Sequence, residues 1–173
     1  MQTQEVERVV RAAHDARRAR FLGVFPRDMI PDTTDCGNCF YIANTDPSGA
    51  PGEHWVAFYV ENGEREFFDS YGQSPTVYGF DGTATRVLTH PVQALDSCAC
   101  GHHCIHYVVS RSHGMSAHCV LSRYAGNTLR QNDSYVHHFV LRLLRQANTV
   151  HVHSVPCRQG CCMRQLCTVK HAE

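Results

Sequence analysis

Long apolar runs are absent from this chain of 173 residues. The longest, WVAFYV at residues 55–60, falls far short of the ~20 needed to cross a bilayer. The opening MQTQEVERVVRAAHDARRAR is charged throughout and lacks the apolar core of a secretory signal. An intracellular, reducing setting is therefore expected, with most thiols free. An excess of one charge is lacking too. The 16 basic and 16 acidic side chains balance, and a chain 18% charged and 43% hydrophobic is not of the disordered class. No repeat, linker or low-complexity tract interrupts it. One domain over residues 1–173 is the expectation, with a core at about 20–147 and a cysteine-rich tail at 148–173.

What is present is unevenly placed. Residues 1–100 hold 8 Lys/Arg against 14 Asp/Glu, a net −6. Residues 101–173 hold 8 against 2, a net +6, together with ten of the thirteen histidines. Fifteen of the 16 basic side chains are arginine. A basic half can face nucleic acid or the chain's own acidic half, and charge alone favours the second.

Periodicity predicts an α+β domain. Val6, Val9, Val10 and Ala13 recur at helical spacing. HWVAFYV and EREFFDSYG flank Asn62-Gly63, which is the composition of a β-hairpin. RVLTH reads as one further strand. A helix is expected from about Cys100, with Cys104, Ile105, Val108 and Val109 on its apolar face. Another is expected from about Asp133, capped by Asn132 or Asp133, with Val136, Phe139, Val140, Leu143 and Leu144 inward.

The chemistry concentrates in VQALDSCACGHHCIHYVV, where Cys98, Cys100, Cys104, His102, His103 and His106 crowd together. A thiol protease needs a thiolate, an activating imidazole, a group to orient that imidazole, and oxyanion donors. His54, Asp69, Gln93 and Cys100 supply these types in order. If Asn62 and Gly63 are the two turn residues, cross-strand partners have numbers totalling 125, and His54 and Asp69 become diagonal neighbours on one face. A three-residue loop would move Asp69 to the opposite face. Cys100, at an expected helix start, would have its thiolate favoured by unpaired N–H groups. Gly101 leaves room for a substrate backbone. Gln93 can donate its amide to an oxyanion beside the Cys100 N–H. A lone cysteine and histidine would read as core residues; four roles in order, plus hairpin parity, count against that. Cys98 and Cys104 then read as structural, the three histidines as polar side chains beside the site, and Ser70 as incidental.

At these residues the chain resembles the adenovirus-type (adenain-like) cysteine proteases. RFLGVFP is similar to that family's FLG opening, GEHWVAFYV to its His-Trp strand, and FFDSYG to its aromatic–acid–aromatic-Gly segment. VQALDSCACGHHC is similar to its Gln, seven-residue step and Cys-Gly, and QNDSYVHHFVLRLL to its C-terminal helix. The likeness covers about residues 20–147. It implies a papain-like, adenain-like fold with a central mixed sheet and the nucleophile at a helix N-terminus. It also implies catalytic His54, Asp69, Gln93 and Cys100, with Trp55 and Gly101 at the substrate. The expected activity is a monomeric viral endopeptidase that cleaves capsid and core precursor polypeptides near glycine, in the virion and host nucleus. No cofactor is required, no membrane is involved, and non-specific DNA and an activating viral peptide are the expected effectors. Three departures stand out. The acid is Asp where Glu is familiar, and the segment from Asp69 to Gln93 is short. No cysteine lies between Cys39 and Cys98 to hold an activating peptide by a disulfide, so such a peptide would bind non-covalently or be dispensable.

Two alternatives remain open in the sequence. One is an isopeptidase of the related SUMO- or ubiquitin-like-deconjugating clan, which uses the same four roles but usually sets Gln and Cys one residue closer. The other is a non-catalytic zinc-binding interaction module built on CGNC (Cys36, Cys39). No second CxxC or HxxxH follows at finger spacing, so two reduced thiols are expected there. The tail CRQGCCMRQLC leaves metal, disulfide and oxidation open.

Overall fold

The computed structural model describes residues 1–80, 82 and 84–153, with backbone alone for 148–153. The tail cysteines Cys157, Cys161, Cys162 and Cys167 lie outside the described residues. The architecture is α+β. Strands β1 (Arg20–Phe25), β2 (Cys39–Asn44), β3 (Trp55–Glu61), β4 (Glu64–Phe68) and β5 (Arg86–Leu88) form one mixed sheet in that spatial order. β1 runs parallel to β2, and β5 to β4, while β2, β3 and β4 alternate. The helices are α1 (Thr3–Ala13), α2 (Cys100–Ser112), α3 (Ala117–Ser122) and α4 (Leu129–His153).

The central hairpin has the register its turn demands. Asn62 and Gly63 take left-handed backbone, at φ 53° and 81°. A type I′ turn requires that sign at both positions, and Asn and Gly tolerate it best. The ladder pairs Ala57 with Phe68 and Phe58 with Phe67, so each pair totals 125. β1, RFLGVF, pairs with β2 through a bulge between Phe21 and Gly23.

Every residue of β2 is buried, as is all of β3 but Glu61. Such strands are apolar on both faces because both faces are covered. Phe40, Ile42, Ala57, Tyr59 and Phe68 pack under α1, α2 and α4 through Val6, Ile105, Val108 and Val136. Tyr41, Val56, Phe58, Phe67 and Phe80 form a second cluster on the opposite face. A buried ion network ties the end of α2 to the hairpin. Arg111 Nε donates to Glu66 at 3.0 Å, its second arm donates to Glu61 at 2.9 Å, and its guanidinium lies 4.4 Å from the Tyr59 ring centre. Tyr107 Oη donates to the same Glu66 at 2.6 Å. A buried charge costs several kcal/mol unless it is paired, and each of these is paired.

Two expectations are corrected here. α4 begins at Leu129, four residues ahead of the anticipated start. Thr128 and Gln131 form a capping box: the Gln131 carbonyl accepts from the Thr128 N–H at 2.8 Å, and Gln131 N–H donates to Thr128 Oγ1 at 3.3 Å. Asn132 and Asp133, freed from capping, reach across to another loop. Cys36 and Cys39 are joined by a disulfide instead of standing as reduced thiols. Left-handed Gly37 (φ 64°) folds the segment so that the two Cα atoms are 6.1 Å apart, within bridging range.

Candidate active site

The sheet end where β3 begins and β4 finishes carries the chemistry. His54 stands one residue before β3, and Asp69 one residue after β4, so the hairpin brings them together. Their side chains meet at 2.6 Å, Nε2 to Oδ1. A carboxylate only accepts, so Nε2 carries the hydrogen and Nδ1 is the nitrogen left for a second partner. The Cys100 sulfur lies close enough to the ring that each group shifts the other's pKa. The ring is also stacked on Tyr71, with centres 4.8 Å apart, as the extrapolated register would place it.

Asp69 is fully buried, with both oxygens occupied. Besides His54, Oδ1 accepts from the Tyr71 N–H at 3.1 Å; Oδ2 accepts from the Gln73 N–H at 2.9 Å and from Tyr78 Oη at 3.1 Å. Burial pushes its pKa up, yet the His54 bond and charge and the two backbone donors hold it below the usual value. The hairpin register brings the short Asp side chain within reach, and backbone N–H groups of its own turn hold it there.

Cys100 is the first residue of α2. Burial raises its thiol pKa, but His54 and the backbone N–H groups of Trp55 and Gly101 more than offset this, leaving it lowered. Burial likewise presses His54 down, and the bonds and charges of Asp69 and Cys100 reverse that and lift it to about 9. Both shifts run in the sense that favours a thiolate–imidazolium pair. A cleft of about 820 Å³ opens on them, lined by His54, Trp55, Tyr71, Cys98 and Cys100, by the 44–53 loop and by residues 1–3.

Gln93 sits in the loop that leads into α2, buried and fully engaged, and is not among the residues that line the cleft. Its Nε2 donates to the Ser97 carbonyl at 2.9 Å, to Ser97 Oγ at 3.1 Å and to Tyr71 Oη at 3.1 Å. The Ser97 carbonyl can only accept, which fixes the amide orientation. On its other side, Ser70 Oγ donates to Gln93 Oε1 at 2.6 Å. Ser70, read as incidental in the sequence, is fully buried and anchors Gln93. Its carbonyl also accepts the N–H groups of Val92 and Gln93. No sequence signal marked Ser70, Tyr78 or Ser97: the partner of Ser70 lies 23 residues along the chain, and the bonds of Tyr78 and Ser97 form within loops that have no periodic pattern.

Trp55 lines the cleft, and its Nε1–H donates to the Met1 carbonyl at 3.3 Å. Gly101 differs from expectation. It is buried, and a Cβ there would meet Trp55 at 3.3 Å and Met1 at 3.4 Å, so its bareness admits protein and does not widen the cleft. The histidines also differ. His103 is fully buried between Asp133 (2.9 Å) and Tyr124 (3.4 Å), and His106 is buried against Tyr124 (2.7 Å) and Tyr135 (3.4 Å). Burial lowers the pKa of both, that of His106 to about 3, and neither lines the cleft. Cys104 is the structural sulfur anticipated: buried, donating to the Trp55 carbonyl at 3.2 Å, its thiol pKa pushed well up by burial. Cys98 is exposed. Among the described residues, no three His, Cys, Asp or Glu side chains are grouped to hold a metal ion, and no helix is long and apolar enough to cross a membrane.

The fold places Gln93 through α4. Asn132 Nδ2 donates to the Val92 carbonyl at 3.1 Å, and Asp133 accepts the Ala94 N–H at 3.3 Å while holding His103 with its other oxygen. The residues on either side of Gln93 are thus pinned by one helical turn. Compared with known proteins, the chain matches no family model and no curated protein.

Proposed function

We propose that this chain is a cysteine endopeptidase. The supporting observation is the Asp69–His54 hydrogen bond with the Cys100 sulfur close enough to be shifted by the ring, at the head of α2 and lining a cleft. In this reading the Cys100 thiolate attacks a peptide carbonyl. His54 Nδ1–H gives its proton to the leaving amine, and Asp69 keeps Nε2–H in place throughout. Water then hydrolyses the acyl-enzyme with Nδ1 as base. The Cys100 N–H, at the first position of a helix and without an intrahelical acceptor, is one oxyanion donor. Gln93 is the second once one amide hydrogen leaves Ser97 or Tyr71. The resemblance to adenain-like proteases supports viral precursor polypeptides with glycine near the scissile bond as substrates.

The test is direct. A thiol-directed probe at neutral pH should label Cys100 ahead of every other cysteine. Cys100→Ala should lose cleavage of a Gly-containing peptide by several orders of magnitude, while Cys104→Ala and Cys119→Ala retain it. Parallel assay on a SUMO or ubiquitin-like conjugate separates the endopeptidase from an isopeptidase. Preferential labelling of another cysteine, or full activity in Cys100→Ala, would refute the assignment.

A further inference from the structure

Peptide hydrolysis at Cys100 calls on Gln93 for the oxyanion, yet its amide lies beneath the cleft and does not line it. Its Nε2 donates to three oxygens, and the residues that carry them, Tyr71 and Ser97, both line the cleft. A substrate oxygen that draws on this amide must therefore come beside one of these two side chains. Tyr71 is the better placed. Its ring is stacked on His54, with centres 4.8 Å apart and 25° between planes, and its Oη accepts from Gln93 Nε2 at 3.1 Å. Its own hydrogen goes to the Ser97 carbonyl at 3.3 Å. We propose that Tyr71 is a further oxyanion donor, its Oη–H joining Gln93 and the Cys100 N–H on the tetrahedral oxygen.

Redirecting that hydrogen leaves nothing unpaired. The Ser97 carbonyl still accepts from Gln93 Nε2 at 2.9 Å, a shorter bond than the one given up. A hydroxyl turns about its C–O bond without moving a heavy atom, so Tyr71 can stay on His54 while it donates. The bond from Gln93 into Oη polarises the phenol and strengthens the hydrogen bond it gives. Ser97 Oγ also accepts from the Gln93 amide, at 3.1 Å, but an aliphatic hydroxyl is a weaker donor than a phenol.

Tyr71 also stands within the field of the reacting sulfur. Burial raises its pKa first, and the charges of Cys100, Cys98, Asp69 and Asp133 add to that rise. The hydroxyl therefore keeps its proton. The charge it feels at sulfur is the charge that passes to the carbonyl oxygen when Cys100 attacks. No proton is transferred in this role: the hydrogen stays on Oη, and the oxyanion collapses as the leaving amine takes its proton from His54.

This inference rests on the protease reading, and Tyr71→Phe separates the two. Phenylalanine keeps the ring on His54 and removes only the hydroxyl, while Gln93 Nε2 and the Ser97 carbonyl keep each other. Thermal melts check that the fold holds, and thiol-probe titration of Cys100 counts the active sites of each variant. On a Gly-containing peptide, Tyr71→Phe should lower kcat about 100-fold or more, with KM within about threefold of wild type. A peptide aldehyde, which Cys100 converts to a tetrahedral adduct carrying the same oxygen, should lose affinity by a similar factor. Ser97→Ala should lose far less. Tyr71→Phe cleaving at the wild-type rate or faster, as freeing the Gln93 amide would produce, overturns the proposal and leaves the protease standing. So does a fall in kcat with aldehyde affinity unchanged, or a loss in Ser97→Ala as large as in Tyr71→Phe. A wild-type chain that neither labels at Cys100 nor cleaves overturns both.

Discussion

Asp69→Asn isolates the charge at the centre of the site from its shape. The pKa of His54 rises from 6.5 to about 9 despite burial, a difference worth about 3 kcal/mol in favour of imidazolium. Asp69 and Cys100 share that lift, so loss of the carboxylate charge should remove about 1.5–3 kcal/mol, a fall of about 10- to 150-fold in kcat/KM. Asparagine can keep its oxygen where Oδ1 now accepts from both His54 and Tyr71. The ring tautomer then survives, so the loss should stay below the ~10⁴-fold seen when such a change imposes the wrong tautomer. The new amide group instead faces the Gln73 N–H, now 2.9 Å from Oδ2. That orphaned donor should cost about 1–3 kcal/mol of stability. pH gives an independent check. A raised histidine pKa contributes stability that is full below 6.5 and is lost as pH climbs through about 9. The lowered Asp69 pKa contributes stability that is full above 3.8 and is lost as pH falls through its depressed value. Wild-type kcat/KM should therefore decline on an alkaline limb near 9, and in Asp69→Asn that limb should move toward neutrality. Steady-state kinetics and thermal melts across pH would decide it. An Asn variant within threefold of wild type (about 0.7 kcal/mol), with its alkaline limb unmoved, would refute the role given to Asp69.

Three further outcomes are expected. Ser70→Ala should lower thermal stability by about 1–3 kcal/mol, because Gln93 Oε1 loses a buried donor, and should reduce kcat more than KM if Gln93 serves the oxyanion; unchanged melting would remove Ser70 as its anchor. DNA binding should be weak, sequence-independent and steeply lost with salt, as counterion release requires; a fluorescence titration showing none at low ionic strength would return the +6 half to pairing with the acidic half. The purified chain should cleave a Gly-containing peptide unaided, since Asp69, His54 and Cys100 already meet; activity that appeared only on formation of a mixed disulfide with an added peptide would overturn this.

Local chemistry was legible in the sequence. Asn62-Gly63 dictates its turn without help from distant residues, and the turn dictates which side chains of β3 and β4 oppose one another. The meeting of His54 and Asp69 could therefore be read from residue numbers alone. The helical start at Cys100 and the buried stripe of α1 followed from periodicity in the same way. Only the tertiary structure decided matters between segments far apart in sequence. Thr128 and Gln131 carried a readable cap, but nothing local says that Asn132 and Asp133 would pin the backbone around Gln93. Nor does HHCIH disclose that α2 is central, so that His103 and His106 must be buried and satisfied by Asp133, Tyr124 and Tyr135. Gln93 shows the difference most clearly. Its residue type announced an amide donor, but three acceptors from Ser97 and Tyr71 determine where that donor points. Hydrogen bonds across a folded core depend on which elements pack together, and that packing is set by the whole pattern of burial, not by any one stretch of chain.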